Sequence, residues 1–197
     1  HVTITETIPT GDDTYLAYGD ADEAATAWLA DLVEQVPHWR DLEYVGTVGG
    51  NRRFELRLDD PPVLSLLRAH GGRVRTARIT DGDYHVTVEL PPDAPVRTVV
   101  DGVRAAYPNA EMLVQRRTTL DSRDAGHHCL DLTAILTDRQ RAVVEAAYYA
   151  GFFEWPRDRT GEEVAAALDI SAPTFHQHLR AAENRILRAL LDDDPPT

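Results

Sequence analysis

The chain contains no lysine: all 20 of its basic residues are arginine. It has a single cysteine, Cys129, which excludes an internal disulfide framework and fits a reducing cytoplasm. Its apolar runs extend only a few residues, so neither a membrane-spanning helix nor a secretory h-region is predicted. The catalytic signatures G-x-S-x-G, P-loop, H-E-x-x-H and the dinucleotide glycine fingerprint are all missing. The sequence therefore predicts no enzyme and no cofactor. His127-His128-Cys129 is the only dense cluster of soft ligands. It lacks the paired spacing that structural zinc requires, so a polar linker is the better reading and no metal site is expected. The chain opens at His1 rather than Met, which predicts that a few residues precede it.

What is present is acid. There are 33 acidic residues against 20 arginines in 197, for a net charge of -13. An acidic, lysine-free composition is the style of salt-in halophiles, haloarchaea above all. Dense surface carboxylates stay hydrated where salt screens charge beyond about 3 Å. A hydrophobic content of 43% is enough to fill a real core. The length suggests one or two domains.

The first 120 residues read as an α+β domain. Val2 to Ile8 alternates weakly, as a strand or a flexible start, and Thr14 to Tyr18 is a short strand. Asp20 or Asp22 caps a helix reaching Val36, with Ala25, Trp28, Leu29, Leu32 and Val33 at i, i+3, i+4 spacing before Pro37. Leu42 to Leu58 is a hairpin turning at Gly49-Gly50-Asn51. A short helix opens at Pro61-Pro62 and stops at Gly71-Gly72. A second hairpin follows, with Tyr84, Val86, Val88 and Leu90 as the buried face of its return strand. A helix from Pro95 turns Val96, Val99, Val100 and Val103 inward, and Ala110 to Thr118 is a final strand. The order βαββαββαβ predicts a mainly antiparallel sheet with covering helices. Residues 121–134 are polar, without a period, and read as a linker.

Residues 135–197 are helical by pattern, an all-α helix-turn-helix domain. Thr137 with Gln140 makes a capping box, and Val143, Val144, Ala147 and Tyr148 form a stripe ending at Gly151. Phe152-Phe153-Glu154-Trp155-Pro156 is an aromatic corner, expected to fill core. Thr160 with Glu163 is a second capping box, starting a helix with Val164, Ala165 and Leu168 inward. Asp169-Ile170-Ser171 breaks it. Ser171 caps the next helix, and Pro173 sits in that helix's first turn, where a missing N–H costs little. Phe175, Leu179, Ala182, Ile186 and Leu190 form its buried stripe, leaving Thr174, His176, Gln177 and Arg180 on other faces. An apolar back with short hydrogen-bonding groups near the N-terminal end is what a DNA-reading helix needs.

A charge of -13 argues against nucleic acid, but its distribution does not. Residues 1–124 hold 21 acids and 13 arginines, net -8; residues 171–191 hold Glu183 against Arg180, Arg185 and Arg188, net +2. The locally basic segment is the candidate reading helix. Gln177 suits adenine and Arg180 guanine in the major groove. Thr174 and His176 are further base or phosphate candidates, and Ser171 with the helix amides suits a phosphate. His176 and His178 are two residues apart and cannot chelate together on one helix.

The segment carrying Leu136-Thr137-Asp138-Arg139-Gln140, then Gly151-Phe152-Phe153-Glu154-Trp155-Pro156-Arg157, then Pro173-Thr174-Phe175-His176-Gln177-His178-Leu179-Arg180 strongly resembles the helix-turn-helix of the haloarchaeal bacterio-opsin activator family. Upstream, His70-Gly71-Gly72-Arg73-Val74-Arg75, Val88-Glu89-Leu90-Pro91-Pro92-Asp93-Ala94 and Tyr107-Pro108-Asn109-Ala110-Glu111 are similar to the domain that accompanies it there. The resemblance implies a transcriptional regulator with an N-terminal α+β domain. One departure from the general helix-turn-helix pattern is Asp169, where the turn usually carries glycine; aspartate tolerates the left-handed conformation better than most residues. Larger relatives carry PAS or GAF modules, for which this chain is too short.

The expectation is a cytoplasmic, sequence-specific regulator that binds double-stranded DNA as a homodimer, with the N-terminal domain sensing or assembling. Two readings stand beside it: an adaptor whose helix-turn-helix docks on the transcription machinery, and a small-molecule binding module.

Overall fold

The computed structural model describes residues 1–11, 13–80, 83–115 and 132–191, apart from the side chain of Thr133. The proposed linker (but for 132–134), the His127-His128-Cys129 cluster and the acidic tail Asp192-Asp193-Asp194 lie outside the described residues, as do the turn residues Asp81-Gly82. The chain divides into two compact units, His1–Arg117 and Thr118–Thr197.

The first unit repeats one plan three times: two strands, then a helix. β1 (Val2–Pro9) and β2 (Thr14–Ala21) precede α1 (Glu23–Gln35). β3 (Trp39–Val48) and β4 (Asn51–Asp59) precede α2 (Pro62–Ala69). β5 (Arg73–Thr80) and β6 (Asp83–Glu89) precede α3 (Val96–Ala106). The three hairpins lie side by side in one six-stranded sheet of order β3-β4-β2-β1-β5-β6. Every pairing is antiparallel, as the alternating sequence predicts.

Period-two alternation turns one set of side chains to one face. Val2, Ile4, Tyr15, Ala17, Ala21, Phe54, Leu56, Leu58, Ala77 and Ile79 meet Ala25 and Leu29 of α1 in the core, with Trp28, Leu32, Val33 and Leu64 packed around it. Asp22 accepts the Ala25 amide at 2.7 Å and so caps α1. Gly49 and Gly50, at φ +58° and +87°, make the tight β3–β4 turn that needs two left-handed residues.

Of the two readings of Val2 to Ile8, the strand holds: Val2–Pro9 is an interior strand, paired on both sides. Two expectations are corrected. Ala110 to Thr118 is not a strand over its described part: residues 110–115 are irregular, with Met112, Leu113 and Val114 50%, 72% and 69% exposed. Alternation makes a strand only where a neighbour supplies the ladder. On β6, Tyr84 and Val88 are exposed rather than buried, because β6 ends the sheet.

Candidate nucleic-acid interface

The second unit is built from α4 (Leu132–Ile135), α5 (Asp138–Tyr149), α6 (Gly161–Ala167) and α7 (Ala172–Leu191). Both predicted capping boxes form. The Thr137 hydroxyl accepts the Gln140 amide while Gln140 Oε1 takes the Thr137 amide. Thr160 and Glu163 make the same reciprocal pair at the start of α6, at 3.3 and 2.7 Å. The amide of Thr160, then its hydroxyl, holds the Glu163 carboxyl below the usual carboxylate range.

α6 ends in a six-to-one closure, the Ile170 amide donating to the Ala165 carbonyl at 3.0 Å. Asp169 takes the left-handed position at φ +53°, so the turn tolerates aspartate there. Ser171 then caps α7: its Oγ accepts the Thr174 amide at 3.3 Å and lies 2.8 Å from the Thr174 hydroxyl.

Val143, Ala146, Ala147, Phe152, Val164, Ala165, Leu168, Phe175, Leu179 and Ala182 are buried in this unit. That leaves the opposite side of α7's first half outward. Gln177 and Arg180 are exposed, and among the described residues neither makes an ion pair or side-chain hydrogen bond. Thr174 is half-buried with its hydroxyl on Ser171, and Ser171 is exposed. His176 is exposed at one edge but packs at the other. Its ring lies 5.1 Å from Phe175 and 6.4 Å from Phe152. A Cβ on Gly161 would come within 2.9 Å of it. The five predicted residues thus gather at the N-terminal half of one helix. The spacings 174–177, 177–180 and 176–180 make surface neighbours of them.

Three further expectations are corrected here. The buried stripe of α7 runs from Phe175 to Ala182; Ile186 is half-buried and Leu190 is 57% exposed. The helix outruns the three-helix core, and periodicity continues past the last partner. In α5, Tyr148 lies outside the stripe, 59% exposed. The aromatic corner is split: Phe152 is inside, stacking edge-on to Phe175 at 5.5 Å, while Phe153 and Trp155 are 51% and 93% exposed. The sequence does not separate the two groups, since all three are aromatic and adjacent. Nor does it distinguish the arginines of α7. Arg185 Nη1 donates to Gln140 Oε1 at 2.9 Å, so it serves the fold, whereas Arg180 is open.

A family model described as the GAF and HTH_10 associated domain matches residues 1–127, and one described as an HTH DNA binding domain matches residues 136–188. The chain belongs to the bacterio-opsin activator family. Within it, the chain is 38% identical over 141 residues to a putative transcriptional regulator of Haloferax volcanii, covering 71% of this chain and 24% of that protein. It is 27% identical over 154 residues to the bacterioopsin transcriptional activator of Halobacterium salinarum, covering 78% and 23%. It is 33% identical over 127 residues to the transcriptional regulator NarO of Haloferax volcanii, covering 64% and 60%. The chain thus spans about a quarter of the length of the first two relatives. No solved structure matches it. Among the described residues, no helix is long and apolar enough to cross a membrane, and no cluster of three metal-ligating side chains occurs.

Proposed function

We propose that this chain is a sequence-specific, DNA-binding transcriptional regulator of a halophilic archaeon, acting in the cytoplasm where the genome lies. The observation that carries the reading is the open pair Gln177 and Arg180 on the exposed side of α7, about two turns past the Ser171 cap, in the segment matched as a DNA binding domain. α7 enters the major groove. Gln177 reads adenine and Arg180 reads guanine. Thr174 and His176 supply further base or phosphate contacts, and Ser171 with the first amides of α7 meets a phosphate.

One such motif rarely suffices, so two copies engage two half-sites. The exposed stripe Leu187, Leu190 and Leu191 at the end of α7 is the homodimer contact we favour, since spacings of three and four place these leucines on one face. The first unit, the domain of residues 1–120, senses a ligand or assembles the dimer and so sets how the two reading helices are placed. Residues 121–134 join it to the reading domain at 135–197. Named as regulators of transcription, the relatives support this reading.

The test is salt-titrated gel shift of the full chain on promoter DNA, with Gln177→Ala and Arg180→Ala. Both variants should weaken specific binding at multimolar KCl. If neither does, the recognition-helix assignment is wrong. An adaptor reading would then gain, with the helix-turn-helix docking on the transcription machinery. A thermal-shift screen of metabolites tests the sensor role.

A further inference from the structure

The turn between α5 and α6 holds a feature that base reading by α7 does not use. The carbonyl of Gly151 accepts the amides of both Glu154 and Asp158, each at 3.2 Å. Residues 151–158 are thereby cinched into a closed loop. Its inner anchor is Phe152, which stacks on Phe175 at 5.5 Å and lies 6.4 Å from the His176 ring, both within the first two turns of α7. Its outer members are Trp155, 93% exposed, and the exposed Arg157, whose guanidinium lies 4.8 Å over the Phe152 ring. The loop therefore stands beside the N-terminal half of the reading helix.

A lone exposed apolar side chain is ordinary; this one is set apart by its place on a loop held by two hydrogen bonds and packed against the start of the reading helix. The loop carries Glu154 and Asp158 against Arg157, with Arg159 just beyond it, so it offers no broad attraction to phosphate. What it offers is one large apolar face and one guanidinium stacked on Phe152, whose ring also lies 6.4 Å from His176. Resting on the DNA-binding reading above, we propose that this loop is a second DNA contact. The Trp155 indole packs on the deoxyribose face of the backbone flanking the groove that α7 enters, and Arg157 meets the adjoining phosphate. The chemistry suits a saline cell. Counterion release weakens as salt rises, whereas apolar burial does not depend on unscreened charge and is strengthened by excluded salts.

The experiment uses the full chain and a fluorescent duplex recovered by selection from a random library. Trp155→Ala should fold as the parent does, by circular dichroism and melting, because the side chain is almost wholly exposed. It should bind on the order of tenfold more weakly, with a loss that holds its size across the KCl series. Arg157→Gln should instead lower the salt slope by about one. Indole emission should change on adding duplex, and Trp155→Phe should abolish that change while leaving Trp28 and Trp39 in place. Specific binding that still depends on Gln177 and Arg180, but leaves Trp155 emission and Trp155→Ala affinity unaltered, overturns the proposal and assigns the indole to a protein partner. No duplex binding by the parent overturns the underlying reading and this one with it.

Discussion

Gln140 Oε1 stands between two donors, the Thr137 amide at 3.2 Å and Arg185 Nη1 at 2.9 Å. One side-chain oxygen thus closes the capping box of α5 and ties α7 to it across 45 residues. Gln140 is buried, at 8% exposure, so its polar atoms need these partners. Arg185 is then a structural arginine, whereas Arg180, one turn and a half earlier, is the one proposed to read DNA.

The two arginines should separate cleanly on mutation. Arg185→Leu should lose about 1 kcal/mol of stability in urea unfolding while the folded protein keeps its DNA affinity. Arg180→Ala should stay within about 0.5 kcal/mol of the parent in stability and lose roughly tenfold or more in specific binding. If the affinity loss instead follows Arg185, the roles are exchanged.

Capping makes a pH prediction. Bonding to Thr160 lowers the Glu163 carboxyl in the folded state, so its contribution is full at neutral pH. It fades on the acid side, below an unfolded value of about 4.3. The side chain is about half exposed to solvent, so the effect is small. Thr160→Ala should cost about 1 kcal/mol at pH 7 and cost less as pH falls into that range. Thermal melts of both proteins from neutral to acid pH at constant KCl check this. A cost that grows with acid contradicts it.

Much of this was legible because it is local. Capping boxes, the turn at Asp169, the hairpin at Gly49-Gly50 and the alternation of β4 are set by residues within a few positions of each other. What escaped depends on distant partners. Val2–Pro9 alternates too weakly to decide between a strand and a flexible start, and its interior place is fixed by β2 and β5 on either side. Residues 110–115 alternate well and find no ladder. Leu190 keeps helical register beyond the last helix that could cover it. Of the site, the helix and its open residues were readable. The packing of His176 on Gly161 and Phe152, and the exposure of Trp155, were not, since both rest on how α5, α6 and α7 meet.

Gly151 should resist substitution. It sits at φ +74°, and a Cβ there would lie 2.6 Å from Asp158 Oδ2 and 2.7 Å from its Cβ. Gly151→Ala should cost about 1–3 kcal/mol in urea unfolding. Pairing it with Asp158→Gly relieves the clash but not the backbone, so partial rescue is expected. A neutral Gly151→Ala contradicts the cinched loop.

The proposed dimer contact is tested by charge. Leu187→Glu with Leu190→Glu alters two exposed leucines beyond the three-helix core, so helical content should hold. Light scattering should show the shift from dimer to monomer, and binding to a two-half-site duplex should weaken while half-site binding persists. A variant that stays dimeric moves the interface elsewhere.

The central claim, that α7 reads base sequence, is tested most directly by selecting a random duplex library with the full chain at multimolar KCl and repeating it with Arg180→Ala. The account predicts an enriched motif from the parent, with a guanine position whose preference relaxes in the variant. An unenriched library from the parent, or an identical motif from both, would contradict it.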